Sequence, residues 1–177
     1  MRTRAIHSNV GQKKGKKEIK ISVIRNVEDM PKKTQPNEFK RIIAPVDGSA
    51  NASRAAKKAL FLGKQTGNQV IVLYVIDTPR LTTTIPPDEI SRVWFDILRT
   101  QGQKVLQDIQ KTAKRMHVKI KTSLVEGIPQ EVILKEAKKD DLIVMGCKGM
   151  TAIDRLLIGS VCDNVVRHAN AQVMVVR

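Results

Sequence analysis

The amino-acid sequence predicts an α/β protein: a single doubly wound sheet of five parallel strands with helices on both faces. Three observations carry this reading. Along residues 39–177, β-rich apolar runs alternate with stretches of helical periodicity, in the order β-α-β-α-β-α-β-α-β. The runs at 70–76 and 142–145 are continuously apolar, as strands buried on both faces must be. The 142–145 run ends on Gly146, and Gly159-Ser160 opens a later helix. A glycine at a strand's carboxyl end, near a helix N-terminus, marks where an open α/β sheet holds a phosphate-bearing ligand.

The elements follow in order. Residues 41–46 form the first core strand, closed by the turn Asp47-Gly48-Ser49. Ser49 or Asn51 caps a helix running to about Gln65. Its small-residue face (Ala52, Ala55, Ala56, Ala59, Leu60) suits close packing on a sheet. Residues 70–77 are a central strand. Residues 77–87, with three prolines and a threonine run, read as a loop long enough to serve as a lid. A helical pattern then extends from Asp88 to about Met116, with a stripe of Ile90, Val93 or Trp94, Ile97, Val105, Ile109 and Ala113. Gly102 reads as a bend or a break in it. Residues 118–125 alternate as a third strand. Gly127-Ile128-Pro129 opens a helix with proline in its first turn, and Val132, Ile133, Leu134 and Ala137 face the core. Asp140-Asp141 precedes the strand at 142–145. In Ser160-Val161-Cys162-Asp163, a hydroxyl N-cap followed three residues later by a carboxylate reads as a capping box. Val161, Val165 and Ala169 share one face of that helix, and residues 172–176 are the last strand.

Length and composition set the bounds. A chain of 177 residues suffices for one domain with a full core. No apolar run approaches the ~20 residues that span a bilayer, and no apolar stretch follows the first arginines. The expectation is a soluble, cytoplasmic protein. Cys147 and Cys162 have neither metal-site nor disulfide-framework spacing and read as small, partly buried side chains.

The formal net charge of +15 is unevenly spread. Residues 1–41 carry 12 Lys and Arg against 4 Asp and Glu, just over half of the excess, and most of that stretch is an amino-terminal arm, residues 1–38. Such an arm binds nucleic acid or another anionic surface by counterion release, or serves as a solvated tail. Within it, Ile19, Ile21 and Val23 alternate with polar residues, which predicts a strand near 18–27. Pro31 and Pro36 mark a linker to the domain at 39–177.

The spacing Gly146-x2-Gly149-x9-Gly159-Ser160 brings these readings to one site. Singly, each glycine is a turn. As a set, they let backbone N–H groups face phosphate oxygens. Together with residues 41–49, 70–77 and 172–177, this motif resembles the universal stress protein family, in particular its ATP-binding branch. The resemblance covers about three quarters of the chain. It implies an adenine nucleotide alpha hydrolase-like, Rossmann-like sheet of strand order 3-2-1-4-5, preceded here by a basic extension. It also implies ATP as ligand, with Mg²⁺ or Mn²⁺ held by the phosphates rather than by a protein cluster. Pro45, Val46, Asp47 and Val75 would then lie at the adenine and ribose. Gly146, Gly149, Gly159, Ser160 and Cys162 would lie at the phosphates, Met145 and Val161 also at the nucleotide, and Lys148 reads either as a point charge on a phosphate or as a solvated side chain. The last strand would pair with its two-fold mate in a homodimer.

The chain departs from the family pattern at Cys162, where threonine is common, and at Cys147, where serine is common. Asp47 has a second reading as an Asx turn before the first helix. Ser160 has one as a helix cap only. His7, His117 and His168 are scattered, and no serine–histidine–acid set can be placed. The expected role is a nucleotide-dependent regulatory module with at most slow ATP hydrolysis. Two other readings remain open: a hydrolase or nucleotidyl transferase on a related fold, and a nucleic-acid-binding protein using the arm.

Overall fold

The computed structural model describes residues 21–22, 39–78, 92–147 and 158–177. The expected loop at 77–87, apart from its first two residues, lies outside them, as do most of the arm strand and both Lys148 and Gly149. The elements are β1 (Ile21–Ser22), β2 (Arg41–Val46), α1 (Ala50–Thr66), β3 (Gln69–Asp77) and α2 (Arg92–Met116). They continue with β4 (Ile120–Gly127), α3 (Pro129–Glu136), β5 (Asp141–Gly146), α4 (Ser160–His168) and β6 (Gln172–Val176). All strand pairs are parallel, and the sheet order is β1-β6-β5-β2-β3-β4. Counted from β2, the five core strands stand in the expected order 3-2-1-4-5.

Alternation along the apolar strands divides the core into two layers. Ile42, Ala44, Val70, Val72, Leu142 and Val144 face α1 and α2. Ile43, Ile71, Leu73, Ile143, Met145 and Val173 face the other way, against Ile133 of α3 and Cys162 and Val165 of α4. A strand apolar at every position is thus one that feeds both layers. Ser49 caps α1 as expected, its hydroxyl accepting from the Ala52 amide at 3.1 Å.

At the amino ends of β2 and β5, the register partners Arg41 and Asp141 form a two-point ion pair. The guanidinium donates at 3.0 and 2.6 Å to the two carboxylate oxygens. Asp141 is 2% exposed and also accepts from the Lys138 amide at 2.7 Å.

The long helix α2 corrects two expectations. It is continuous through Gly102, where a Cβ would come within 2.8 Å of both Tyr74 and Leu124. Glycine here permits close helix-on-sheet packing and does not interrupt the helix. The stripe is also rotated: Trp94 and Ile97 are about half exposed, while Leu98, Gly102, Leu106, Ile109 and Ala113 turn inward. A sequence stripe with two candidate phases takes the one that fits Gly102 against the Tyr74 ring.

β4 begins two residues later than the alternation suggests. His117 adopts φ 57°, its amide donates to Lys114 O at 3.1 Å, and the Val118 amide donates to Ala113 O at 3.0 Å. These are the two bonds of a Schellman motif, so residues 117 and 118 close α2 before the strand starts. Among the described residues no helix is long and apolar enough to cross a membrane.

Candidate functional site

The carboxyl ends of β2, β3 and β5 border a cavity of about 400 Å³. It lies where the winding reverses, between β2 and β5, as expected for an open α/β sheet. Its volume is within the ~300–1,000 Å³ usual for small-molecule sites. From β2 and the following turn come Pro45, Val46 and Asp47, and from β3 comes Val75. From β5 come Met145 and Gly146, and from the start of α4 come Gly159, Ser160, Val161 and Cys162. The fold therefore brings together every described residue predicted for the site. Sequence reasoning missed Tyr74 and Asp77 of β3, Leu98 and Gln101 of α2, and Pro129 and Ile133 of α3, all of which line the cavity. The α2 residues carried no local signal, because only helix-on-sheet packing carries them to the strand ends.

Asp47 serves the backbone as its second reading required. One carboxylate oxygen accepts from the Ser49 amide at 2.9 Å, and Ser49 in turn caps α1. Asp47 nevertheless lines the cavity, so the Asx turn aims this wall. Burial, and then the charge of Asp47, raise the Tyr74 hydroxyl above its usual range, so it is a neutral phenol.

Gly146 has a role that its place at a strand end did not suggest. A Cβ there would come within 2.9 Å of the Asn51 carbonyl carbon and 3.0 Å of the Ala52 nitrogen. The missing side chain lets the first turn of α1 sit against the end of β5. That contact holds two walls of the cavity in place.

The capping box expected at Ser160 does not form. Gly159 is the N-cap and Ser160 the first helical residue, with no side-chain cap. Asp163 reaches forward to Arg167 at 2.9 Å instead of back to the helix start. A residue already inside the helix cannot place its hydroxyl over the first-turn amides. Those amides, which a helix leaves without intrahelical partners, belong to residues that line the cavity. The backbone around them is tied down: the Gly159 amide donates to Cys147 O and the Cys147 amide to Val176 O, both at 2.9 Å.

Both cysteines are buried. Burial, together with the neighbouring Cys147 and Asp163, pushes the Cys162 thiol up to about 12, so it stays protonated near neutral pH and is a poor nucleophile. Among the described residues no cluster of three or more His, Cys, Asp or Glu could hold a metal ion. The described lining residues include two carboxylates, Asp47 and Asp77, and among them there is no Lys or Arg. Of the described groups, those suited to an anion are backbone amides at the α4 N-terminus.

A doubly wound parallel sheet with a cavity at its switch point, walled by a strand-end aspartate and a helix N-terminus, defines an α/β protein with a candidate small-ligand site. Residues 38–177 match the model of the universal stress protein family, and the chain belongs to that family. Universal stress protein MJ0531 of Methanocaldococcus jannaschii is 35% identical over 158 residues, 88% of each chain. The solved structure of MJ0577, from the same organism, superposes with a TM-score of 0.70 at 31% identity, covering 78% of this chain and 96% of that one. Two more distant structures share the fold: a universal stress protein in complex with cAMP, with TM-score 0.57 at 22% identity, covering 78% and 97% of the two chains, and one from Archaeoglobus fulgidus in complex with dAMP, with TM-score 0.52 at 19% identity, covering 78% and 98%.

Proposed function

We propose that this chain binds ATP in the switch-point cavity and acts as a nucleotide-dependent regulatory module in stress response. One observation carries the proposal: the cavity gathers Asp47, Val75, Gly146 and the uncapped α4 N-terminus around one space. The bound cAMP and dAMP of the two family structures, both adenine nucleotides, support it. In this reading Asp47 and the β2–β3 wall hold adenine and ribose, and the first-turn amides of α4 meet the phosphates. Lys148 and Gly149 join the phosphate loop on the strength of the glycine spacing alone. Mg²⁺ or Mn²⁺ accompanies the nucleotide, held mainly by its phosphates.

Calorimetric titration with ATP and Mg²⁺ tests this. Ser160→Ala removes a hydroxyl beside the phosphates and should weaken binding about ten- to a hundredfold, the worth of a hydrogen bond to a charged group. Because no side chain caps α4, its melting temperature should stay close to wild type. Asp47→Ala should reduce discrimination for adenine or ribose. Wild-type protein that binds no adenine nucleotide, or three proteins that bind ATP alike, would remove the site. With the Cys162 thiol protonated and no lining histidine among the described residues, ATP turnover should fall well below the ~1–1,000 s⁻¹ of typical enzymes.

The homodimer belongs to the same proposal, with a condition attached. β6 is not a bare edge: Val173 and Met174 pair with Ile21 and Ser22 of β1. A two-fold seam along β6 requires β1 to leave. Deleting residues 1–38 should therefore raise the dimer fraction measured by light scattering. A truncated protein with the full-length chain's subunit count would argue against a β6 seam.

A further inference from the structure

The basic arm is not the whole of this chain's positive charge. Residues 92–121, which span α2 and the start of β4, hold 8 Lys and Arg against 2 Asp. Residues 122–177 are balanced, with 7 of each sign, and residues 42–91 nearly so, with 5 basic and 4 acidic. The domain's surplus therefore belongs to one structural unit. Its densest part is the last two turns of α2 and the entry to β4, where Lys111, Lys114, Arg115, His117, Lys119 and Lys121 are all exposed. The first four line a shallow concavity.

Among the described residues little neutralises this cluster. Lys111 pairs with Asp108 at 3.1 Å. Among the described residues no carboxylate pairs with Lys114, Arg115, Lys119 or Lys121. The helix dipole favours cations in the final turn of α2, which suits Lys114 and Arg115. It does not reach Lys119 and Lys121, which lie beyond the Schellman motif, one just before the outermost strand of the sheet and one on it. The bond from Gln110 to Thr122 at 2.9 Å holds β4 against the helix, and Lys119 and Lys121, which alternate with Val118, Ile120 and Thr122, project from the other face of the same sheet edge. In a parallel sheet this corner lies at the amino ends of the strands, opposite the cavity, so a partner here would not compete with a nucleotide.

We propose that the α2–β4 corner is a docking face for the phosphate backbone of duplex nucleic acid. The chemistry selects the backbone over the bases: the cluster contains no aromatic side chain to stack on a base, and its charges are mostly flexible lysines. The span from Lys111 to Arg115 is about 6 Å of helix, and a duplex presents a charge every ~1.7 Å, so several cations meet phosphates together. Binding of this kind is indifferent to sequence and steep in salt. It is independent of the arm, which joins the sheet at the opposite edge through β1.

The test uses full-length protein and a fluorescent DNA duplex of mixed sequence, titrated over a range of salt. Wild type should bind with a steep salt dependence. The variant K111Q/K114Q/R115Q should bind at least about tenfold more weakly at low salt, with a log–log slope smaller by about 3, at roughly 0.9 for each of the lost phosphate contacts. Its melting temperature should not change, since these side chains are exposed. The charge-conserving variant K111R/K114R should bind as wild type does. An unchanged slope in the glutamine variant would overturn the proposal and assign any DNA binding to the arm. Tighter binding of polyglutamate or of a single-stranded oligonucleotide than of the duplex would overturn it as well, as would no duplex binding by wild type.

Discussion

Arg41→Met should lower stability by about 3 kcal/mol, measured by urea or thermal melts at neutral pH. Breaking one side of a buried pair costs about 3–5 kcal/mol, because the other charge stays behind without compensation. The lower end applies since a quarter of the Arg41 side chain remains in water. For a domain of this size the loss corresponds to a melting temperature lower by about 6–12 °C. The pH dependence identifies the cause. Burial by itself would raise the Asp141 carboxyl. The hydrogen bonds from Arg41 and the Lys138 amide, with the charges of Arg41 and Lys138, outweigh that and hold it below its ordinary value. A carboxylate with a depressed folded pKa adds stability that is complete above its unfolded value of about 3.9 and is lost as pH falls through the folded one. In the variant, burial prevails and the carboxyl is raised, so its penalty is greatest at neutral pH and shrinks in acid. The two proteins should therefore converge in stability as pH drops from 7 toward 4. A gap that stays constant would mean the contact is not ionic. The double variant Arg41→Met/Asp141→Leu should recover most of the loss, since buried pairs are often replaceable by apolar residues.

Gly146→Ala should destabilise the fold and abolish the proposed nucleotide binding together. The added methyl group meets the Asn51 carbonyl carbon and the Ala52 amide, which are backbone atoms that no rotamer change can move. Overpacking costs about 1–3 kcal/mol, and the upper part of that range applies where backbone must shift. Displacing the first turn of α1 also displaces the Asp47–Ser49 turn, whose Ser49 caps that helix, and with it one wall of the cavity. ATP affinity should drop at least about a hundredfold, equivalent to some 2.7 kcal/mol. The contrast with Ser160→Ala is informative, since that change should weaken binding and leave stability alone. A Gly146→Ala protein with wild-type melting and wild-type affinity would refute the packing role of this glycine.

Much of the architecture was legible because local signals and the fold agreed. Continuous apolar runs at β3 and β5 announce strands buried on both faces, and Ser49 and Pro129 mark helix starts by their own backbone chemistry. The residues predicted for the site and described in the structure all reach one cavity. They sit at the ends of elements, where position in the sequence translates directly into position at the sheet's edge.

Other features were decided only by contacts between distant segments. Whether Gly102 breaks a helix or packs one depends on Tyr74 and Leu124, which lie 28 residues before it and 22 after it. The capping-box pattern at Ser160 failed because the helix boundary falls one residue earlier than the pattern requires, under the pull of backbone bonds from Gly159 to Cys147 and from Cys147 to Val176. The short arm strand finds its place only once β6 offers an edge in register. Periodicity and capping act over a few residues of one segment, so the sequence by itself determined the elements and the ends that carry the candidate site. Close packing acts between surfaces that exist only after folding, so the tertiary structure decided the phase of α2, the role of Gly146 and the covering of β6.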